Sequence, residues 1–216
     1  MNAVASMTGR WRPLAAAGYL TLAALLAGCA GLSQQAAPGA AVQTLSPYQE
    51  SIAIDGRISV QYAQNDQPQS LHGSFNWSQA PGRTGLELLS PLGQTVATID
   101  VRPGVATLVQ SGRAPQIAPD IDQLAARALG WPLPVSGMRH WLQGRGVDRA
   151  GKPFQAVPGD DNASFVTADG WRVAYPTWQA ATDGDRLRPR RIDLTRNTEQ
   201  AGPVSIRIVI DHWNQP

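Results

Sequence analysis

The sequence predicts a mainly β domain, an antiparallel meander that curls into a barrel or half-barrel and carries a small helical lid. Three observations predict it. Apolar and polar residues alternate over long stretches, as in strands with one buried face. Turn clusters divide those stretches at short intervals. Only two short segments switch to helical spacing, and both fall mid-chain, where a helical pair can lie across the concave face of the sheet. The 216 residues, less an N-terminal leader, leave one domain able to bury a full core, with no internal repeat.

In chain order, Ile58, Val60 and Tyr62 alternate with Arg57, Ser59 and Gln61. Leu71, Gly73, Phe75 and Trp77 then alternate with His72, Ser74 and Asn76, and Leu86 and Leu88 flank Glu87. An apolar run from Thr95 to Val101 follows. Asp120 to Leu129 places Ile121, Leu124, Ala125 and Ala128 at helical spacing, with Gly130 as a stop. Val135 to Leu142 predicts a second short helix, with Ser136 as N-cap and Met138, Trp141 and Leu142 on one side. Near the end Val204, Ile206, Ile208 and Ile210 alternate with Ser205, Arg207 and Val209. Turns are expected at Asn65 to Pro68, Ala80 to Arg83, Arg102 to Gly104, Ala168 to Gly170 and Asn197 to Gly202.

Ahead of this domain, Arg10 and Arg12 precede an apolar run from Leu14 to Ala27 that ends in Leu26-Ala27-Gly28-Cys29. That order is a secretory signal. The run is short, and Gly18, Tyr19 and Thr21 break it, so it is a poor membrane span. Small residues directly before the only cysteine resemble a lipobox, the bacterial lipoprotein signal. The resemblance implies lipidation of Cys29 and cleavage before it. Residues 1–28 are then a signal peptide, 29–46 a flexible tether of small uncharged residues, and 47–216 the folded domain. The formal charge of +2 falls to near zero once Arg10 and Arg12 leave, which removes the electrostatic case for nucleic acid. No polybasic cluster offers itself to anionic lipid, because Asp183, Asp185 and Asp193 dilute Arg186, Arg188, Arg190 and Arg191.

Catalytic motifs are weak. Gly146 to Lys152 has the spacing of a phosphate-binding loop, but Pro153 stands where a magnesium-ligating Ser or Thr belongs, and no amphipathic helix follows. It reads as a glycine-rich turn between strands. The histidines are His72, His140 and His212. Asp211 beside His212 is expected on the opposite strand face. Ser136 lacks the Gly-x-Ser-x-Gly frame, and no metal-ligand spacing occurs. The sequence therefore predicts no enzyme, no cofactor and no metal. Ser90-Pro91-Leu92-Gly93 fits a type I turn with Leu92 at its tip, where polar residues are usual. Two readings follow: a leucine folded back onto its own sheet, or an apolar finger that touches acyl chains or a bilayer.

Several segments, in order, resemble the LolB family of outer-membrane lipoprotein receptors. They are Gly56 to Val60, Gly73 to Trp77, Leu88 to Thr95, Trp131 to Gly144, Trp171 to Tyr175, and Asp211-His212-Trp213. The resemblance implies an incomplete antiparallel barrel, lidded by helices, around an apolar cavity. It implies a receptor that accepts acylated lipoproteins from the periplasmic carrier LolA and inserts them into the outer membrane. Pro91, Leu92 and Gly93 would form the membrane-insertion loop, with Leu92 protruding. Ala30, in place of the Asp that retains lipoproteins in the inner membrane, implies a lipid-anchored outer-membrane location facing the periplasm. Outer-membrane lipid would be contacted through the N-terminal anchor, and the protein is expected as a monomer.

With that implication, the inward strand residues and the lid become the expected cavity wall: Ile58, Val60, Phe75, Trp77, Leu86, Leu88, Ile99, Trp141, Leu142, Val173, Tyr175, Ile192, Leu194, Ile206 and Ile208. Plain hydrophobic core is the other reading of each. Two further functions remain open: a non-catalytic envelope lipoprotein that serves as a protein-binding scaffold around a filled barrel, and a lipid-active hydrolase.

Overall fold

The computed structural model describes residues 44–214 apart from 66, 161, 183, 185 and 200. Cys29, the signal segment and most of the tether, as well as Asp183 and Asp185, lie outside the described residues. The alternating runs become two meanders. After a short β1 (Thr44–Leu45), the first comprises β2 (Ile52–Gln64), β3 (Gln67–Ala80), β4 (Arg83–Leu89), β5 (Thr95–Arg102), β6 (Val105–Gln110) and β7 (Gln116–Ala118). After the helices come a separate hairpin, β8 (Arg145–Val147) and β9 (Pro153–Gln155), and the second meander, β10 (Ser164–Val166), β11 (Arg172–Ala180), β12 (Arg186–Thr198) and β13 (Gly202–Asn214).

One sheet holds both meanders, in the order β10-β11-β12-β13-β2-β3-β4-β5-β6-β7. The chain's last long strand pairs antiparallel with its first, Ile206 opposite Val60 and Ile208 opposite Ile58. The outermost strands β7 and β10 do not pair with each other, so the sheet is not closed into a barrel. Thr44 and Leu45, expected in the tether, instead pair parallel with Arg186 and Leu187 of β12. Their backbone groups find partners there, which brings the folded region forward to residue 44.

Alternation carries one face inward. Ile54, Val60, Phe75, Trp77, Leu86, Ile99, Leu108, Val173, Ile192, Leu194, Ile206 and Ile208 are buried together in one core. This unit has its own core and internal strand pairing, as an independently folding domain does. Packing is close where β2, β3 and β13 meet. A Cβ at Gly56 would lie 2.2 Å from the Val209 carbonyl oxygen and 2.9 Å from Phe75, so only glycine fits.

Two helices cover the inner face. α1 (Ile121–Leu129) starts where the Asp120 side chain accepts from the Gln123 N–H, and stops at Gly130 in the left-handed conformation. α2 (Val135–Trp141) differs from expectation at its start. Pro134 is the N-cap and makes no side-chain cap bond. Ser136 lies inside the helix, and both its N–H and its hydroxyl donate to the Asp122 carboxylate. The first helix thus caps the second, a bond between residues 14 apart that local pattern does not reveal. Trp131, Leu133, Val135, Met138, Trp141 and Leu142 bury the lid against the sheet.

Candidate functional site

The turn at Leu92 is built by its own residues. The Gly93 N–H donates to the Ser90 carbonyl at 2.9 Å, and the Gln94 N–H donates to Ser90 Oγ at 3.2 Å. Gly93 takes φ +77°, the left-handed residue that follows a type I turn in a hairpin with a bulge. Leu92 does not fold back onto its own sheet. It projects outward, 87% exposed, and Pro91 through Val96 are exposed with it.

Beside the turn lies an apolar pocket of about 290 Å³, near the lower end of the roughly 300–1,000 Å³ usual for ligand pockets. Ile58, Val60, Leu71, Leu88 and Leu89 of the strands, Leu129 and Trp131 of the lid, and Pro91 and Val96 by the turn line it, with His72, Ser90 and Gln110 as its polar members. A wider cleft of about 830 Å³ runs past Tyr62 and Val204, but Gln61, Gln69, Ser70, Thr195, Arg196 and Asn197 share its lining. Those polar groups would lose water to hydrocarbon without gaining a hydrogen bond, so the smaller pocket suits an apolar ligand better. The Tyr62 and Trp131 rings meet at 6.5 Å.

Of the expected wall, Ile58, Val60 and Leu88 line the apolar pocket. Phe75, Trp77, Leu86, Ile99, Trp141, Leu142, Val173, Tyr175, Ile192, Leu194, Ile206 and Ile208 are buried in the contiguous core. Alternation points all of them inward, but it cannot say which end of the interior stays open. Leu71 and Val96, 43% and 45% exposed, also line the apolar pocket: Val96 is an apolar residue at the start of β5 beside the turn, and Leu71 lies within β3. Trp131 and Leu129, at the end of the first helical run, also close the pocket.

Tyr175 sits among aromatic rings, 6.3 Å from Phe154 and 5.9 Å from Trp178. Its buried hydroxyl has no hydrogen-bond partner among the described residues, and burial pushes its pKa far up, so it is neutral.

The remaining chemical candidates are dispersed. Residues 146–152 form the β8–β9 hairpin, where Asp148 Oδ1 accepts from the Ala150 and Lys152 N–H groups at 2.8 and 2.9 Å. The amides that would cradle a phosphate are thereby engaged within the turn. The expectation for Asp211 and His212 needs correction. A bulge between Ile210 and His212 lets both reach partners on β2: Asp211 binds Arg57 at 2.8 Å and His212 Nδ1 lies 2.7 Å from Asp55 Oδ2. His140 stacks on Tyr48 at 5.3 Å, and His72 pairs with Ser70 at 3.1 Å. No two histidines share a site.

Comparison with known proteins bears on this arrangement. The sequence model of the family described as Outer membrane lipoprotein LolB matches residues 50–213. Among relatives named Outer-membrane lipoprotein LolB, that of Cupriavidus pinatubonensis is 39% identical, covering 74% of this chain and 78% of the relative. That of Ralstonia nicotianae is 38% identical, covering 87% and 91%. That of Bordetella bronchiseptica is 31% identical, covering 97% and 98%. Among solved structures, the LolA superfamily protein NE2245 from Nitrosomonas europaea aligns with 82% of this chain and 91% of its own, at 11% identity and a TM-score of 0.45.

Proposed function

The chain belongs to the LolB family of outer-membrane lipoproteins, and on that premise we propose that it is the outer-membrane receptor for lipoproteins. It accepts acylated clients from a LolA-type periplasmic carrier and inserts them into the outer membrane. It acts without catalysing a reaction, as a monomer facing the periplasm, held by acyl chains on Cys29 at the end of a tether. The observation that carries this reading is the Leu92 turn, an apolar tip 87% exposed at the rim of an apolar pocket walled by Ile58, Val60 and Leu88.

The physical task is to hide hydrocarbon between two hosts. Burying each CH₂ is worth about 0.8 kcal/mol, so one sixteen-carbon chain has ~12 kcal/mol at stake. Each successive host needs only a slightly better apolar site, because ~1.4 kcal/mol shifts a partition tenfold. Transfer can then run downhill without nucleotide. The pocket beside Trp131 is the entrance, and the α1–α2 lid makes more room by lifting from the sheet. Its polar ties to the rest of the domain gather at Gln110, Arg139 and Gln143. Gln110 Nε2 donates to the Ala128 carbonyl, and Arg139 reaches the Ala80 carbonyl and Glu50. Several acyl chains on Cys29 exceed what stable anchoring requires.

Leu92→Glu tests the proposal. Because the side chain is exposed, stability should change by no more than about 0.5 kcal/mol. Uptake of an acylated client from its carrier should persist, and insertion into acceptor vesicles should fall severalfold or more. Insertion by this variant at the wild-type rate would contradict the role of the turn.

A further inference from the structure

We propose that Arg113 and Arg127 flank the Leu92 turn as a seat for the phosphates of anionic phospholipids, so that the receptor holds headgroups while its apolar tip enters the bilayer. This rests on the Leu92 turn being the membrane-contacting element. Arg113 lies in the turn between β6 and β7, and Arg127 lies in α1. β5 and β6 are antiparallel neighbours with Ala97 opposite Gln110, so the β6–β7 turn stands at the same sheet end as the β4–β5 turn. The Ser111 N–H donates to the Val96 carbonyl at 3.4 Å across that end. Gln110 joins the parts. Its Oε1 accepts from the Arg113 guanidinium at 3.2 Å, and its Nε2 donates to the carbonyl of Ala128 at 3.1 Å, next to Arg127 in the last turn of α1.

Charge and polarity fit that partner. Both arginines are exposed, and neither has a carboxylate partner among the described residues. Some other arginines meet carboxylates: Arg57 meets Asp211, Arg83 and Arg102 meet Asp100, and Arg191 and Arg207 meet Asp193, whereas Arg145, Arg149, Arg172, Arg188 and Arg190 make no ion pair among the described residues. Residues 89–96, 109–115 and 127–131 contain no Asp or Glu. Glu87, on β4, is held by Thr95 Oγ1 at 2.7 Å and Asn76 Nδ2 at 3.0 Å. The exposed pocket residues Leu71 and Val96 widen the apolar contact. An apolar wedge bordered by cations suits an interface of acyl chains beneath anionic phosphates.

The test uses the chain begun at Ala30, which keeps the whole folded unit, and two vesicle types: phosphatidylcholine alone, and phosphatidylcholine with about one-third phosphatidylglycerol. An arginine near an anionic surface is worth roughly fivefold in partition. Arg113→Gln with Arg127→Gln should therefore weaken binding to the anionic vesicles on the order of 25-fold at low salt. It should leave binding to the neutral vesicles and the thermal midpoint unchanged. Leu92→Glu should weaken binding to both. An equal loss on neutral vesicles, or no loss on anionic ones, would overturn the proposal. So would slower uptake from the carrier with vesicle binding intact, because the arginines would then read the carrier. Wild-type binding of Leu92→Glu to neutral vesicles would instead remove the role of the turn, a separate outcome.

Discussion

His212 and Asp55 show how much one inserted residue changes at the scale of side chains. The bulge after Ile210 turns His212 toward Asp55 on β2, and hydrogen bonding with that carboxylate, then its charge, raise the histidine above its ordinary value of 6.5. The stabilisation this pair supplies is full below pH 6.5 and fades as pH rises through the raised value. His140 has the opposite sign, because burial and the Arg139 charge lower it, and it favours the folded state more as pH rises through its lowered value toward 6.5. NMR titration should place His212 above 6.5 and His140 below it, and Asp55→Asn should bring His212 back down. A His212 that titrates at or below 6.5 in the wild type would contradict the pairing. Leu92 was legible from the chain because Ser-Pro-x-Gly turn chemistry is local. The Asp55–His212 pair was not, because it depends on a bulge and on a strand 157 positions away.

α2 is the element where local propensity and packing disagree most. Alanine outranks glycine in a helix by about 1 kcal/mol, so Gly137→Ala should stabilise an isolated helix. In this lid, a Cβ at Gly137 would sit 2.3 Å from the Trp141 ring, and Trp141 is buried in the core. Overpacking of that kind costs about 1–3 kcal/mol, so the substitution should lower stability in a denaturant titration, and a gain would contradict the packing. Asp122→Ala removes the bonds to Ser136 and should cost about 1 kcal/mol, the usual worth of a helix cap. Amide exchange should then quicken through α2 before it quickens in the sheet. Both helices could be read from periodicity, and so could the stop at Gly130. The cap could not, because the chain places Asp122 and Ser136 on different helices and only tertiary packing joins them.

At the scale of the molecule, the strands of both meanders were legible as alternating runs, because a half-buried sheet imposes period two on its sequence. The join between them was not. Pairing of β13 with β2 sets the last strand against the first long one, and nothing local encodes that choice. The pocket was partly legible for the same reason. Alternation points Ile58, Val60 and Leu88 inward, and it points Ile192 and Leu194 inward just as well, yet only the first three line the pocket. An acylated peptide at 100 times its dissociation constant should stabilise the fold by about 2.7 kcal/mol, on the order of 5–10 °C in thermal midpoint for a domain of this size. The unacylated peptide should do nothing. The most direct measurement is the hand-over itself. The chain begun at Ala30 is mixed, without nucleotide, with a client whose acyl chains are ¹³C-labelled and held by a LolA-type carrier. The client should move to this protein, with labelled methylenes showing nuclear Overhauser contacts to Ile58, Val60 and Leu88. A client that stays on its carrier, or acyl chains that touch only the outer face, would contradict the account.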